Sequence, residues 1–147
     1  MKQIPNDIFF NWIEDEISNG NSVQIRVKGN SMFPLLRNDN DIVVLSPCKT
    51  SKLKPMDTIL FRYKGKHLMH RIYRINGNTI YLRGDGAFEA KETCKFTDVV
   101  GKVESIIRSD GRTISADSWK WKIPSCLWNS LGVVRKPVLY ILQKLYL

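Results

Sequence analysis

Short segments in which apolar and polar residues alternate fill the middle of this 147-residue chain, and they constrain its fold more than any other feature. Val23, Ile25 and Val27 alternate with polar residues, which is typical of a strand that buries one face. The pattern predicts further strands at 41–45, 58–63, 67–75, 79–83 and 99–108, and turn signals separate several of them. One of these turns contains Asn-Gly, which favours a tight hairpin. The spacing predicts a compact sheet or barrel-like fold rather than βαβ units.

Helical periodicity is confined to the two ends of the chain. Residues 6–18 repeat apolar side chains at helical spacing, and 19–21 supply a stop signal. Near the other end, a second apolar stripe is predicted to form a helix that Pro137 breaks or bends. Its members are Leu127, Leu131, Val134, Val138, Ile141 and Leu145. We therefore expect a mainly β (α+β) fold, with one domain at 1–110 that includes the N-terminal helix and a basic, aromatic helical tail at 111–147.

The composition is that of a single folded domain, since 43% of the residues are apolar and 25% are charged. Cys48, Cys94 and Cys126 are odd in number and far apart, which argues against a disulfide framework or a structural zinc site and favours a reducing compartment. No secretory signal opens the chain, and no apolar run reaches the ~18 residues of a membrane span. The expected location is the cytoplasm, either free in it or peripherally bound to the membrane.

Positive charge is concentrated at the C-terminal end. The net charge is +9, and no acidic residue follows Asp117. A surface of this kind attracts the phosphates of nucleic acid or of anionic lipid. Three tryptophans, at positions 119, 121 and 128, stand before or at the start of the predicted helix. Two interpretations stay open: a helix that lies in a membrane interface, or a helix that packs against its own domain or a partner.

The first candidate for chemistry is Ser31, in the segment Gly-Asn-Ser-Met-Phe-Pro at 29–34. A glycine followed by a serine at the end of a strand places a hydroxyl where the backbone turns sharply, and free N–H groups nearby could bind a developing oxyanion. Met32 and Pro34 would hold this turn. A turn serine that only caps a neighbouring N–H has the same local pattern, so the segment is modest evidence taken alone.

A serine nucleophile needs a base, and the chain has two histidines, His67 and His70. They lie three residues apart in a predicted strand, so they face opposite sides and at most one belongs to a site with Ser31. His70 lies in an apolar stretch and is the better candidate, whereas His67 follows a turn and is expected to be exposed. A third group, an acid, would orient the base. Asp85, between two glycines, is the first candidate for this acid and Glu89 is the second, although an ordinary turn aspartate would read the same way.

Taken together, these segments resemble a known family, the serine peptidase clan that contains type I signal peptidases and LexA-type self-cleaving repressors. The resemblance covers roughly residues 23–108 and consists of five short boxes in the family's order. Residues 29–34 match the family's Gly-x-Ser-Met-x-Pro nucleophile box, and residues 40–44 match its Gly-Asp-x-Val-Val strand with Asn40 replacing the glycine. Residues 69–72 match the box that holds the base, and residues 83–86 match the Gly-Asp-Asn box. Residues 98–103 match the closing strand.

The resemblance implies a β-rich catalytic core that cleaves a peptide bond in a precursor protein or peptide without a metal or cofactor. Ser31 would attack, His70 would take and return the proton, and the backbone N–H of Ser31 would help to bind the oxyanion. Asp85 would support His70 or hold the loops of the site.

The chain also departs from the family pattern. Most bacterial members have a lysine at the base position, so His70 makes this chain similar to the endoplasmic-reticulum and archaeal signal peptidases, which use a Ser-His pair and an acid. Gly29 replaces the hydroxyl residue of classical signal peptidases, as it does in the LexA-type pattern. The acid of the Ser-His enzymes lies a few residues past the Gly-Asp-Asn box, where Glu89 is the nearest acid here.

Two other functions remain as alternatives. One is a non-catalytic module of the same fold that recruits a partner through its basic tail. The other is a self-processing regulator, which would need a partner chain to bind DNA because only 22 residues precede Val23. Nucleic acid is therefore not an expected partner of this chain itself.

Overall fold

The computed structural model describes residues 6–87 and 90–147. Helix α1 (Asn6–Ser18) comes first, eight strands follow, and the chain ends in helices α2 (Trp119–Ser130) and α3 (Arg135–Tyr146). The strands are β1 (Val23–Arg26), β2 (Ile42–Ser46), β3 (Thr58–Tyr63), β4 (Lys66–Asn76), β5 (Thr79–Arg83), β6 (Lys91–Lys95), β7 (Val99–Ile107) and β8 (Thr113–Ser115). The β-rich fold with helices at its ends confirms the predicted fold class.

All eight strands belong to one antiparallel sheet in the described part of the chain. Its order is β1-β2-β7-β3-β4-β5-β6, and β8 also pairs with β7. The crossover that brings β7 between β2 and β3 joins the N-terminal hairpin to the β3–β6 meander. As a result, the turn after β1 and the strand β4 become parts of one structure although they are far apart in sequence.

The sheet is covered by two clusters of buried apolar side chains. The first cluster packs α1, β1, β2, the turn after β1 and the C-terminal helices together. The second is built from inward-facing residues of β3, β4, β5 and β6, among them Phe61 and Leu82. Burial alternates along β5 and β6, as expected for strands with one face against a core.

The C-terminal end differs from the prediction in the position of its helix break. The helix is interrupted at Gly132, whose φ of 57° lies in the left-handed region, rather than at Pro137. Pro137 lies in the first turn of α3, where its missing N–H removes no helical hydrogen bond. Residues 111–147 contact the sheet: β8 pairs with β7, and both Trp121 and Trp128 are buried in the first cluster.

Candidate active site

The turn that carries Ser31 is exposed at the serine and anchored just after it. Gly29 has a φ of 82°, a conformation that favours glycine, and its N–H donates to Asn38 Oδ1 at 2.7 Å. Ser31 itself is exposed, whereas Met32 and Phe33 are each 2% exposed and belong to the first apolar cluster. The predicted turn is therefore present, and its buried half fixes the position of the exposed serine.

An ion pair between buried Asp41 and half-buried Arg108 holds the far end of the same turn. Asp41 Oδ2 accepts hydrogen bonds from Arg108 Nη1 and from the Arg37 N–H, both at 2.8 Å. Arg108 Nη1 also donates to the Leu35 carbonyl oxygen at 2.9 Å. Since Asp41 is 2% exposed, this charge-assisted network ties the segment after Ser31 to the end of β7.

His70 lies on β4 with a carboxylate at one of its ring nitrogens. Its Nδ1 is 2.9 Å from Glu92 Oε2, and both side chains are buried. An ionised carboxylate can only accept a hydrogen bond, so Nδ1 is the donor in this contact, and a neutral imidazole bound in this way presents its Nε2 lone pair on the other side. Phe61 packs edge-on against the imidazole with ring centroids 6.2 Å apart, which closes the apolar side of the pair.

Gly84 is the point at which His70 and the serine turn converge. A Cβ atom placed on Gly84 would lie 3.2 Å from His70 Nε2 and would overlap the Ser31 carbonyl oxygen. Gly86 N donates to that same oxygen at 2.8 Å. His70 Nε2 and the backbone of the Ser31 turn therefore approach each other across a position where only glycine fits.

Asp85, which the sequence suggested as the acid beside His70, has its carboxylate bound to Arg71 instead. Arg71 Nε and Nη2 donate to the two Asp85 oxygens at 2.9 and 2.7 Å, and Asn129 Nδ2 donates at 3.3 Å. Arg71 and Asp85 are each 1% exposed. Arg71 follows His70 on β4 and therefore projects from the opposite face of the strand. The Arg71 pair ties down the loop at 84–86, which contacts the serine turn through Gly86.

Glu92 occupies the position beside His70 Nδ1 at which the sequence suggested Asp85. Glu89 lies outside the described residues, so its prediction stays open. Sequence reasoning missed Glu92 because it missed β6, in which the two buried positions are Glu92 and Cys94 rather than typical apolar residues. The segment Lys-Glu-Thr-Cys-Lys buries every second residue, but a charged residue at an inward position hides this alternation in the sequence.

The second histidine has a different environment. His67 Nε2 is 3.0 Å from Glu14 Oε2, and its ring stacks on Phe10 of α1 with centroids 4.5 Å apart. His67 is half-buried by these contacts rather than exposed as predicted. Both histidines therefore have glutamate partners, but they lie on different sides of the sheet, as their spacing predicts.

The C-terminal helices support the loop beside the site. Trp128 Nε1 donates to the Asp85 carbonyl oxygen at 2.8 Å, and Arg135 Nη2 donates to the Ala87 carbonyl oxygen at 3.2 Å. Arg135 is buried, and burial together with the nearby Arg83 charge lowers its pKa, while Asp85 opposes this shift. Arg135 therefore belongs to the support of the loop and not to the basic surface of the tail.

Two comparisons with known proteins gave different results. No curated protein matches the chain at a significant level. A family model described as Peptidase S24-like matches residues 2–103, a range that holds Ser31, His70 and Glu92 and leaves out β8 and both C-terminal helices. The match spans more than half of the chain and agrees with the antiparallel fold, so the chain belongs to the Peptidase S24-like family.

Proposed function

We propose that this chain is a serine endopeptidase in which Ser31 is the nucleophile, His70 is the general base and Glu92 orients that base. The observation that carries the proposal is the position of His70 between two partners. Its Nδ1 faces the Glu92 carboxylate, and its Nε2 faces Gly84 beside the backbone of Ser31. Nucleophile, base and orienting acid in this order are the arrangement that activates a serine hydroxyl.

In the proposed reaction, Ser31 Oγ attacks the carbonyl carbon of the scissile bond while His70 Nε2 accepts the hydroxyl proton. Glu92 stabilises the imidazolium that forms, because the carboxylate lies 2.9 Å from Nδ1. The Ser31 backbone N–H binds the negatively charged oxygen. His70 then gives the proton to the leaving amine, and a water molecule releases the acyl group by the same steps in reverse.

The proposed substrate is an exposed segment of a precursor protein or peptide, as in the signal-peptidase-like processing that the sequence motifs suggest. Ser31 is exposed and its neighbours on both sides are tied down, so a chain could approach the hydroxyl without displacing a core residue. The proposed chemistry uses side chains and backbone groups of this chain and needs no metal or cofactor.

Covalent labelling tests the nucleophile directly. A serine-reactive acylating probe should label the wild-type chain once, as seen by intact mass, and should not label Ser31→Ala. Ser51→Ala, which removes an exposed hydroxyl from a 3₁₀ turn away from the site, is the matched control and should be labelled like the wild type. Cleavage of unstructured peptides, followed by mass spectrometry, should be lost in Ser31→Ala and kept in Ser51→Ala. Equal labelling and cleavage by wild type and a folded Ser31→Ala variant would sink the proposal.

A further inference from the structure

Helix α2 is apolar on two faces, and only one of them is used by the fold. Trp121, Ser125 and Trp128 face inward and are buried. Trp119, Ile123 and Leu127 recur every four residues on the outer side and are 68%, 53% and 63% exposed. The outward stripe is therefore a second apolar face that nothing in the described chain covers.

The exposed apolar surface continues beyond α2. Among the described residues, every large hydrophobic side chain that is exposed belongs to this end of the chain, except Ile8 and Trp12 of α1. Those after α2 are Leu131, Val133, Val134, Tyr140, Ile141, Leu145, Tyr146 and Leu147. We call the exposed apolar residues from Trp119 to Leu147 the tail surface. Exposed apolar side chains concentrated at one end of a folded protein point to an interaction site.

The charges beside the tail surface indicate which partner it fits. The exposed charged residues of this end are Lys120, Lys122, Lys136 and Lys144, and no acidic residue follows Asp117. The headgroup region of an anionic bilayer favours a surface with this composition. It combines exposed tryptophan, tyrosine and aliphatic side chains with lysines, and it contains no acidic residue. A protein partner that contacted only the apolar residues would make no use of the positive charge of the adjacent lysines.

The geometry favours a helix pair that lies on the membrane. Each helix has 12 residues, which corresponds to about 18 Å, shorter than the ~30 Å of a bilayer core. No helix in the described ranges is long and apolar enough to cross a membrane. A 3₁₀ turn that begins at Gly132 separates the two helices, so they do not form one longer helix.

We propose that the tail surface docks this chain onto anionic lipid bilayers. Its outer residues enter the headgroup region, and the lysines bind lipid phosphates. The inner face of α2 is hydrogen-bonded to the Asp85 loop through Trp128, and that loop contacts the Ser31 turn through Gly86. Docking therefore places the candidate active site one helix layer from the lipid. The tail surface lies outside the family match at 2–103, so it is a feature of this chain and not of the family model.

Vesicle co-sedimentation tests the proposal. The chain should bind vesicles of phosphatidylcholine and phosphatidylglycerol, and it should bind pure phosphatidylcholine vesicles much more weakly. The double variant Trp119→Ser, Leu127→Ser should lose roughly tenfold or more in partitioning, because two exposed apolar side chains no longer enter the interface. Ile8→Ser removes an apolar side chain that is 58% exposed on α1 and should bind like the wild type.

A charge pair gives a second, independent arm. Lys120→Gln with Lys122→Gln should weaken binding to anionic vesicles by about fivefold per lysine. Lys64→Gln with Lys66→Gln, two exposed lysines at the β3–β4 turn, should leave binding unchanged. Vesicles should shift the tryptophan emission of the wild type to shorter wavelength, and Trp119→Phe should lose most of this shift.

Three results would overturn the proposal: no binding to anionic vesicles, equal binding to neutral ones, or a stable dimer that Trp119→Ser, Leu127→Ser dissociates and that does not bind vesicles. Sedimentation velocity identifies the dimer. Circular dichroism shows that each variant is folded, as expected for exposed positions. Ser31→Ala should bind vesicles normally, so failure of the proposed peptidase activity and failure of membrane docking are separate outcomes.

Discussion

The two histidines of this chain can be compared directly, because both lie on β4 and both contact a glutamate. His70 Nδ1 is 2.9 Å from Glu92, and His67 Nε2 is 3.0 Å from Glu14. Their surroundings differ. His67 stacks on Phe10, and its glutamate also accepts from Arg62 Nε at 2.5 Å, which makes a structural link between α1 and the sheet.

The difference teaches that a histidine–glutamate pair is not by itself a catalytic signature. The His70 pair is buried, and the second nitrogen of its imidazole faces Gly84 and the Ser31 turn. The His67 pair is half-buried and uses Nε2 for its glutamate, at a helix–sheet contact. What separates the two is the turn that carries Ser31, whose backbone adjoins Gly84 beside His70 Nε2.

Replacement of each histidine by alanine should give the largest contrast. We expect His70→Ala to reduce peptide cleavage by about 10³-fold or more, because the serine loses its general base. His67→Ala should keep cleavage close to the wild-type rate when kcat is referred to folded protein. The measurement is kcat/KM on a peptide substrate, with folded fractions from circular dichroism. A His67→Ala variant as inactive as His70→Ala would remove the distinction between the two pairs.

Replacement of each glutamate should give a smaller contrast of the same sign. Glu92→Gln keeps an oxygen that can accept from His70 Nδ1 but removes the charge that stabilises the imidazolium, so kcat should fall by about 10²-fold with little change in KM. Glu14→Gln should leave both constants near their wild-type values. A Glu92→Gln variant with a normal kcat would show that Glu92 only fills space beside the base.

The pH dependence of stability should give the smallest effect. Burial raises the pKa of Glu14, but the hydrogen bonds and charges of Arg62 and His67 outweigh it and lower the pKa below its ordinary value. A carboxylate with a lowered pKa stabilises the fold at pH values above the unfolded-state pKa, and this contribution is lost as the pH falls through the folded-state value.

We therefore expect Glu14→Gln to be up to about 1 kcal/mol less stable than the wild type at pH 7. The difference should shrink below about pH 4.3, the ordinary glutamate value, and vanish in stronger acid. Urea unfolding of both proteins across this range provides the measurement. A difference that grew toward acid pH would contradict the sign of the pKa shift.

Much of the fold was predictable because its signals are local. The bounds of β3, β5 and α1 agree with the predicted ranges, since their burial pattern follows their own apolar periodicity. The prediction failed at β6, where the inward position holds Glu92, and at β8, a three-residue strand that exists through its pairing with β7. It also misplaced the break in the C-terminal helix, because a proline in the first turn of α3 interrupts nothing.

Ser31 and His70 were identifiable from sequence because a glycine before a turn serine and one histidine in an apolar strand are visible in single segments. Those assignments remain proposals about catalysis. The acid was not identifiable in this way. Asp85 stands out between two glycines but binds Arg71, whereas Glu92 stands in an inconspicuous polar segment and reaches His70 across the sheet.

By itself, the sequence determined the alternating strands, the turn at Ser31, the opposite faces of the two histidines and the basic, apolar character of the last residues. Only the tertiary structure decided which carboxylate meets which base, and which apolar stripe of the C-terminal helices is left outside. The physical reason is that strand periodicity and helix periodicity depend on neighbours in the chain. The partner of a buried charge depends instead on β-sheet order and on a crossover that no local pattern encodes.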